Sequence, residues 1–316
     1  VLRDKAEAHP DRDFLKFAGN PWVSYGEINS RSNRIANALL ARGVEKGESV
    51  SVMLPNCEEF LPVWFGILKA GAVMSSINTA YKGDFLSWTI NLVEAKKLFI
   101  SDIFLDRLDF IAKELPMLEH VIVMKTGNQE GPDPSFKWEP LDALMEAPDS
   151  EPDGVEYSWV DDARIMFTSG TTGRSKGVIK QNAADYFSAR GLLEVVSKTS
   201  GRSVEELSDD TFFSCLPLFH SNAQVLVEPV LAAGHRRRGH DLQLDRRGVV
   251  LHLEHPAVGP GQGAQGAHRV RRAHAQGHLL RLPGPLRRQV HRGLRPHRDR
   301  HGHLHGPDAA GRAGLG

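Results

Sequence analysis

The sequence predicts an α/β fold in which strand-helix units stack around a largely parallel sheet. Two observations carry that prediction. Apolar runs of strand length alternate with helical stretches from Ser24 to Met124, at the spacing of strand-helix-strand units. A further strand at Arg164 to Phe167 runs directly into a loop of Ser, Thr and Gly.

The elements follow in order. Ser24 and Glu27 form a capping-box pattern, Ile28, Ile35, Leu39 and Leu40 share one helical face, and Gly43 stops the helix. Ser49 to Leu54 reads as a strand, Glu58 to Ala70 as a helix, Val73 to Ile77 as a strand and Asp84 to Glu94 as a helix. Lys97 to Ser101, Phe104 to Glu114 and His120 to Met124 repeat the alternation. Gly127 to Asp153, rich in Pro, Gly and acidic residues, reads as a surface excursion with a short helix. The most apolar stretch, Leu61 to Ile77, carries Lys69, Gly71 and two serines, and is too short and too broken to span a bilayer. It reads as a buried helix, a turn and a strand.

The chain has 316 residues, 41% hydrophobic and 25% charged, which is ordinary for a soluble α/β protein. A formal net charge of zero argues for neither nucleic acid nor a membrane surface as partner. Cys57 and Cys215 lack metal-site spacing and read as two reduced core thiols of a cytoplasmic protein. The opening Val1-Leu2-Arg3-Asp4-Lys5 has no apolar signal-peptide core. Oligomeric state is left open.

Ile165 to Gly177 reads I-M-F-T-S-G-T-T-G-R-S-K-G. An apolar strand ends in Thr168, Ser169, Gly170, Thr171, Thr172 and Gly173, with Lys176 and Gly177 just beyond. Glycines let the backbone turn tightly and bring N–H groups close to an anion, hydroxyls add donors, and Lys176 adds positive charge. That combination suits a polyphosphate. It is not the Walker loop, because Arg174-Ser175-Lys176 stands where Gly-Lys-Ser/Thr is required. A flexible surface turn is the competing reading, and so many specified residues directly after a buried strand argue against it.

On these residues the segment resembles the signature phosphate-binding loop of the adenylate-forming superfamily, which includes acyl-CoA synthetases, nonribosomal adenylation domains and firefly luciferase. The usual Pro before the lysine is Ser175 here, a departure that leaves Lys176 in place. The resemblance extends over most of residues 1–234. His9-Pro10-Asp11, Ser24-Tyr25-Gly26-Glu27, Met53-Leu54-Pro55-Asn56 and Lys69-Ala70-Gly71-Ala72 look like the family's successive landmarks. Leu216-Pro217-Leu218-Phe219-His220-Ser221-Asn222-Ala223-Gln224 most resembles the acyl-CoA ligases, in particular the crotonobetaine/carnitine-CoA ligase-like group.

What the resemblance implies is an N-terminal part of an adenylation domain and a two-step ligation drawing on ATP, Mg²⁺ and coenzyme A, in cytoplasmic fatty acid metabolism. A carboxylate attacks the α-phosphorus of ATP, and coenzyme A then attacks the acyl-adenylate. Thr168, Ser169, Gly170, Thr171, Thr172, Gly173 and Lys176 would hold phosphates. In isolation a histidine after an apolar strand is more often structural than catalytic. In the family the residue matching His220 lines the site between carboxylate and ATP, which implies acyl positioning. General-base work is not assigned to it, because a carboxylate is already an anionic nucleophile and needs charge neutralisation and alignment. Another adenylate-former, such as a nonribosomal adenylation domain, and a non-catalytic truncated product are the alternatives.

Composition changes abruptly after Gly234. Residues 235–316 contain 16 Arg against 4 Asp and 1 Glu, hold 12 of the 15 histidines, and lack Lys, Ile, Phe, Tyr, Trp, Met, Cys, Ser, Thr and Asn altogether. No helical or strand period survives, so this tail is expected to be disordered and to form no domain. His301-Gly302-His303-Leu304-His305 could be read as a metal site, and the arginines as a basic arm for nucleic acid. Translation of a GC-rich gene in the wrong frame accounts for more. Leu294-Arg295-Pro296-His297-Arg298-Asp299 can be encoded CTA CGG CCT CAC CGA GAC, which shifted by one nucleotide reads Tyr-Gly-Leu-Thr-Glu-Thr. That resembles the family's next motif, whose Glu binds Mg²⁺. His235-Arg236-Arg237-Arg238 shifts likewise to Thr-Val-Val-Val, a strand expected at that point. On this reading the chain as written lacks metal ligands.

Overall fold

The structure, a computed structural model, describes residues 1–17, 19–127, 131–133, 135–168, 174–207, 212–225, 227 and 242–244. All lie within the compact unit Val1–Ala257. The larger of two sheets has seven strands in the order β7-β6-β5-β3-β4-β8-β9. These are β3 (Ser49–Met53), β4 (Val73–Ser76), β5 (Lys97–Ser101), β6 (His120–Met124), β7 (Lys137–Pro140), β8 (Asp162–Phe167) and β9 (Gly177–Gln181). All neighbouring pairs are parallel except β8 with β9, which closes one edge antiparallel. The expected α/β class with its parallel sheet is the observed one.

Helices α2 (Tyr25–Ala41), α3 (Phe60–Lys69), α4 (Gly83–Leu92) and α5 (Leu105–Phe110) connect the strands. Ser24 caps α2 by accepting the Glu27 N–H at 3.2 Å, and Gly43 follows the helix with φ of 73°. α3 lies close against α2: a Cβ at Gly66 would fall 2.6 Å from Ile35, so only glycine permits this approach. The expected Phe104 to Glu114 helix is broken into 3₁₀ turns at Asp102–Phe104 and Ala112–Glu114 around α5.

Apolar side chains alternate across β5 and β6. Leu98, Ile100, Val121 and Val123 join one buried cluster, while Phe99, Ile122 and Met124 join the other. Burial on both faces is the condition of a central parallel strand.

The stretch Gly127 to Asp153 corrects the expectation of a mere surface excursion. β7 adds to the sheet beside β6, and Phe136, Leu141 and Leu144 are buried. An edge strand is held by backbone pairing, so Lys-Trp-Glu-Pro needs no apolar alternation. The cysteine reading is half right. Cys57 is buried, with its thiol pushed up by that burial, whereas Cys215 is exposed.

The second sheet has the order β10-β11-β1-β2, from β10 (Phe212–Ser214), β11 (Leu242–Leu244), β1 (Asp13–Phe17) and β2 (Trp22–Ser24). Strand β11 falls inside the stretch expected to form no domain, and its backbone pairs in parallel with both β1 and β10. Backbone hydrogen bonding makes little demand on side-chain identity, so composition did not anticipate this pairing. The rest of 235–316, including the His301 to His305 tract, lies outside the described residues. Helices α1 (Leu2–Ala8), α6 (Asn182–Ser200) and α7 (Val204–Leu207) complete the fold. Among the described residues, no helix is long and apolar enough to cross a membrane.

Candidate functional site

The candidate site forms where three parallel strands end. β8 runs beside β4, pairing Met166 with Ser76, and β4 runs beside β3. In an open α/β sheet, ligands collect at this carboxyl edge, where loops leave the strands. β8 leads into Thr168, and the chain returns through Lys176 into β9. The Thr168 N–H donates to the Lys176 carbonyl at 3.0 Å, and the Lys176 N–H reaches the Thr168 hydroxyl at 3.4 Å. Thr168 and Lys176 therefore face each other where the antiparallel pair β8 and β9 ends. Both are exposed. Ser169, Gly170, Thr171, Thr172 and Gly173 lie outside the described residues.

The returning arm is gripped from α4 and the turn before it. The Ser175 hydroxyl lies 2.9 Å from the Tyr81 hydroxyl, and its carbonyl accepts the Trp88 indole N–H at 3.1 Å. The Arg174 guanidinium sits 4.5 Å from the centre of the Trp88 ring. Sequence reasoning gave Tyr81 and Trp88 no role, because nothing local connects them to a loop almost a hundred residues away.

His220 belongs to a segment drawn to the same edge. Asn56, just past β3, donates to the Leu216 carbonyl at 3.1 Å and accepts the Leu218 N–H at 2.7 Å. Gln224, fully buried, donates to the Ser76 hydroxyl at 3.1 Å and to the Leu218 carbonyl at 2.8 Å, and accepts from Arg164 of β8. The residue just past β3, the last residue of β4 and a buried arginine within β8 thus hold the segment between them. His220 itself is exposed, and its Nδ1 accepts the Asn222 N–H at 3.3 Å where residues 221–225 turn helical. With Nδ1 so used, the neutral ring carries its proton on Nε2.

Arg164 is the buried cation beneath the site. It bonds Asp185 of α6 as well as Gln224, and its guanidinium lies 4.8 Å from the centre of the Trp64 ring. Asp185 also pairs with Lys180 at 3.2 Å. A buried arginine at the third position of β8 was legible only as a strand residue. Among the described residues, no group of three or more His, Cys, Asp or Glu side chains could hold a metal ion.

Residues 2–238 match the model of the family described as AMP-binding enzyme. Over 230 residues the chain is 28% identical to a crotonobetaine/carnitine–CoA ligase of Citrobacter koseri, covering 70% of this chain and 42% of that protein. Over 237 residues it is 29% identical to a medium/long-chain-fatty-acid–CoA ligase of Mycobacterium tuberculosis, covering 74% and 36%. The fold is similar to that of ATP-bound MatB from Rhodopseudomonas palustris, with a TM-score of 0.61 and 24% identity over 78% of this chain and 44% of that one. It is also similar to the inhibitor-bound N-terminal domain of FACL13 from Mycobacterium tuberculosis, with a TM-score of 0.60 and 25% identity over 77% and 56%. The chain spans about two fifths of the length of the curated relatives it matches.

Proposed function

The chain belongs to the AMP-binding enzyme family, and from that premise we propose that its gene descends from an ATP-dependent acyl-CoA ligase. The observation that carries the reading is the hairpin of Thr168 and Lys176, set at the carboxyl edge beside the segment that bears His220.

In the proposed reaction a carboxylate oxygen attacks the α-phosphorus of ATP, an acyl–O–P bond forms, and pyrophosphate departs with the broken anhydride. The thiol of coenzyme A then attacks the acyl carbonyl, and AMP leaves. Lys176, Thr168 and the residues between them stabilise the charge that develops on the β,γ-phosphates, and His220 positions the acyl group. Because the described residues do not form a metal site, no step is routed through Mg²⁺. The proposed setting is cytoplasmic, with a fatty-acid-type carboxylate as substrate class.

A second reading concerns the polypeptide as written, and the composition break at 235 favours it. The domain boundary is set at 1–234, and the residues from 235 on are read as out-of-frame translation. On this reading the 316-residue chain is a non-catalytic product of a ligase gene. Sequencing the nucleotides around codons 230–240 tests it. A one-base correction should restore Tyr-Gly-Leu-Thr-Glu-Thr, and stops throughout the other frames would sink the idea. ATP–pyrophosphate exchange should be absent from the chain as written and present in the corrected protein. Thioester formation with free coenzyme A then separates a ligase from a nonribosomal adenylation domain.

A further inference from the structure

We propose that Tyr81 and Trp88 are positioning residues for the phosphate-binding hairpin, fixing the backbone of Arg174 and Ser175 and so the register in which Lys176 enters the site. The proposal rests on the reading of this loop as a polyphosphate cradle. Three directional contacts converge on two residues: hydroxyl to hydroxyl at 2.9 Å, indole N–H to carbonyl at 3.1 Å, and guanidinium over ring at 4.5 Å. Ser175 is only 5% exposed at their meeting point, while Arg174 and Lys176 on either side are exposed. The clamp has a firm base. α4 is anchored by buried Leu86 and Ile90, and the turn carrying Tyr81 is braced by the Tyr81 N–H on the Asn78 carbonyl at 3.0 Å and by Arg107 on the Thr79 carbonyl.

The need for a clamp follows from residue 175. A proline there would lock φ near −65° by its ring. Serine leaves that torsion free, and the freedom would be lost again each time a phosphate is bound. The Tyr81 hydroxyl, by holding the Ser175 side chain, supplies a restraint that the missing ring does not. The Trp88 contact is different in kind, since its acceptor is a backbone carbonyl that any residue at 175 would offer.

The test uses the full 316-residue chain and its Tyr81→Phe, Trp88→Phe, Ser175→Pro and Tyr81→Phe/Ser175→Pro variants. Tryptic cleavage after Lys176 is followed by mass spectrometry, relative to cleavage after exposed Lys113, with thermal melting alongside. Tyr81→Phe and Trp88→Phe should each speed cleavage after Lys176 about fivefold, the factor for one lost hydrogen bond, while melting changes little. Tyr81→Phe should have no effect once residue 175 is proline, and this non-additivity is what a general packing role would not produce. Equal effects of Tyr81→Phe in both backgrounds, or no effect of either single variant, would overturn the proposal. Inorganic tripolyphosphate separates the two layers of the argument. Protection of Lys176 in the parent chain supports the phosphate reading. Faster cleavage in the variants without tripolyphosphate protection of the parent would overturn that reading and leave the clamp standing.

Discussion

The side-chain carbonyl of Gln224 accepts a hydrogen bond from the buried guanidinium of Arg164, joining the segment that bears His220 to the strand that leads into Thr168. The same Gln224 amide donates to Ser76 and to the Leu218 carbonyl, so both ends of one side chain are committed. A buried network in which every member is satisfied specifies one arrangement, and a partly satisfied one is costly. Gln224 is therefore a fixed strut between the two halves of the candidate site.

Replacing it should be expensive. Gln224→Leu removes a buried acceptor from Arg164 and a donor from Ser76 and Leu218, and should cost about 1–3 kcal/mol. Urea unfolding should show a lower midpoint at unchanged slope. A loss below about 0.5 kcal/mol, the range of ordinary surface substitutions, would show that the strut is not needed for the fold.

Lys69 ties the loop before β8 to the helical layer. Its ammonium donates to Asn29 at 2.8 Å, to Asn33 at 2.7 Å and to both Glu151 oxygens at 2.6 and 2.8 Å. Burial raises the Glu151 carboxyl, but the hydrogen bonds from Lys69 and Asn29 outweigh it and leave the pKa below the ordinary value. A carboxylate with a lowered folded pKa contributes stability that is complete above the ordinary glutamate value and lost as pH falls through the folded one. Glu151→Gln should therefore destabilise the chain at neutral pH and flatten its acid-unfolding curve below about pH 4.5. Parallel acid-unfolding curves for parent and variant would remove Glu151 from the account.

His120 should act as a mild acid sensor at the start of β6. Its Nε2 lies 3.0 Å from a Glu139 oxygen, a placement that alone would raise its pKa. Burial has the larger effect and lowers it, and the positive charges of Lys137, Arg42 and Lys97 add to the lowering. A lowered folded pKa means that the unfolded chain binds the proton first, so stability is full above the ordinary histidine value of about 6.5 and lost as pH falls through the folded one. Thermal melting at pH 7.5 and 5.5 should show a larger drop for the parent than for His120→Gln. Identical drops would refute the assignment.

In the frame-corrected enzyme, Lys176→Ala should impair adenylate formation more than thioester formation. Lys176 is exposed, and on the proposed reading it meets a charge that leaves with pyrophosphate before coenzyme A attacks. Losing one such donor costs about a hundred- to a thousand-fold in rate. His220→Ala should instead affect both steps, since positioning the acyl group matters in each. Single-turnover measurements from ATP, and separately from pre-made acyl-adenylate, distinguish the cases. Equal slowing of both steps by Lys176→Ala would assign the lysine to folding or closure.

What the sequence by itself determined is whatever is written within a few turns of chain. The bounds of β5 and β6 follow from continuous apolar runs, and the start of α2 from the Ser24 to Glu27 pattern. Each depends on neighbours in sequence, where side-chain periodicity and capping act. Tertiary structure alone decided what depends on distant partners. β7 joined the sheet through backbone bonds to β6 that its side chains do not announce. β11 found β1 across more than two hundred residues. Tyr81 and Trp88 met Ser175, and Gln224 met Arg164, because the sheet sets β4, β8 and β9 side by side whatever the length of chain between the residues that meet around them. Cys215 is exposed rather than buried for a related reason: its burial depended on what packs beyond the end of β10, and an apolar neighbourhood in sequence does not specify that.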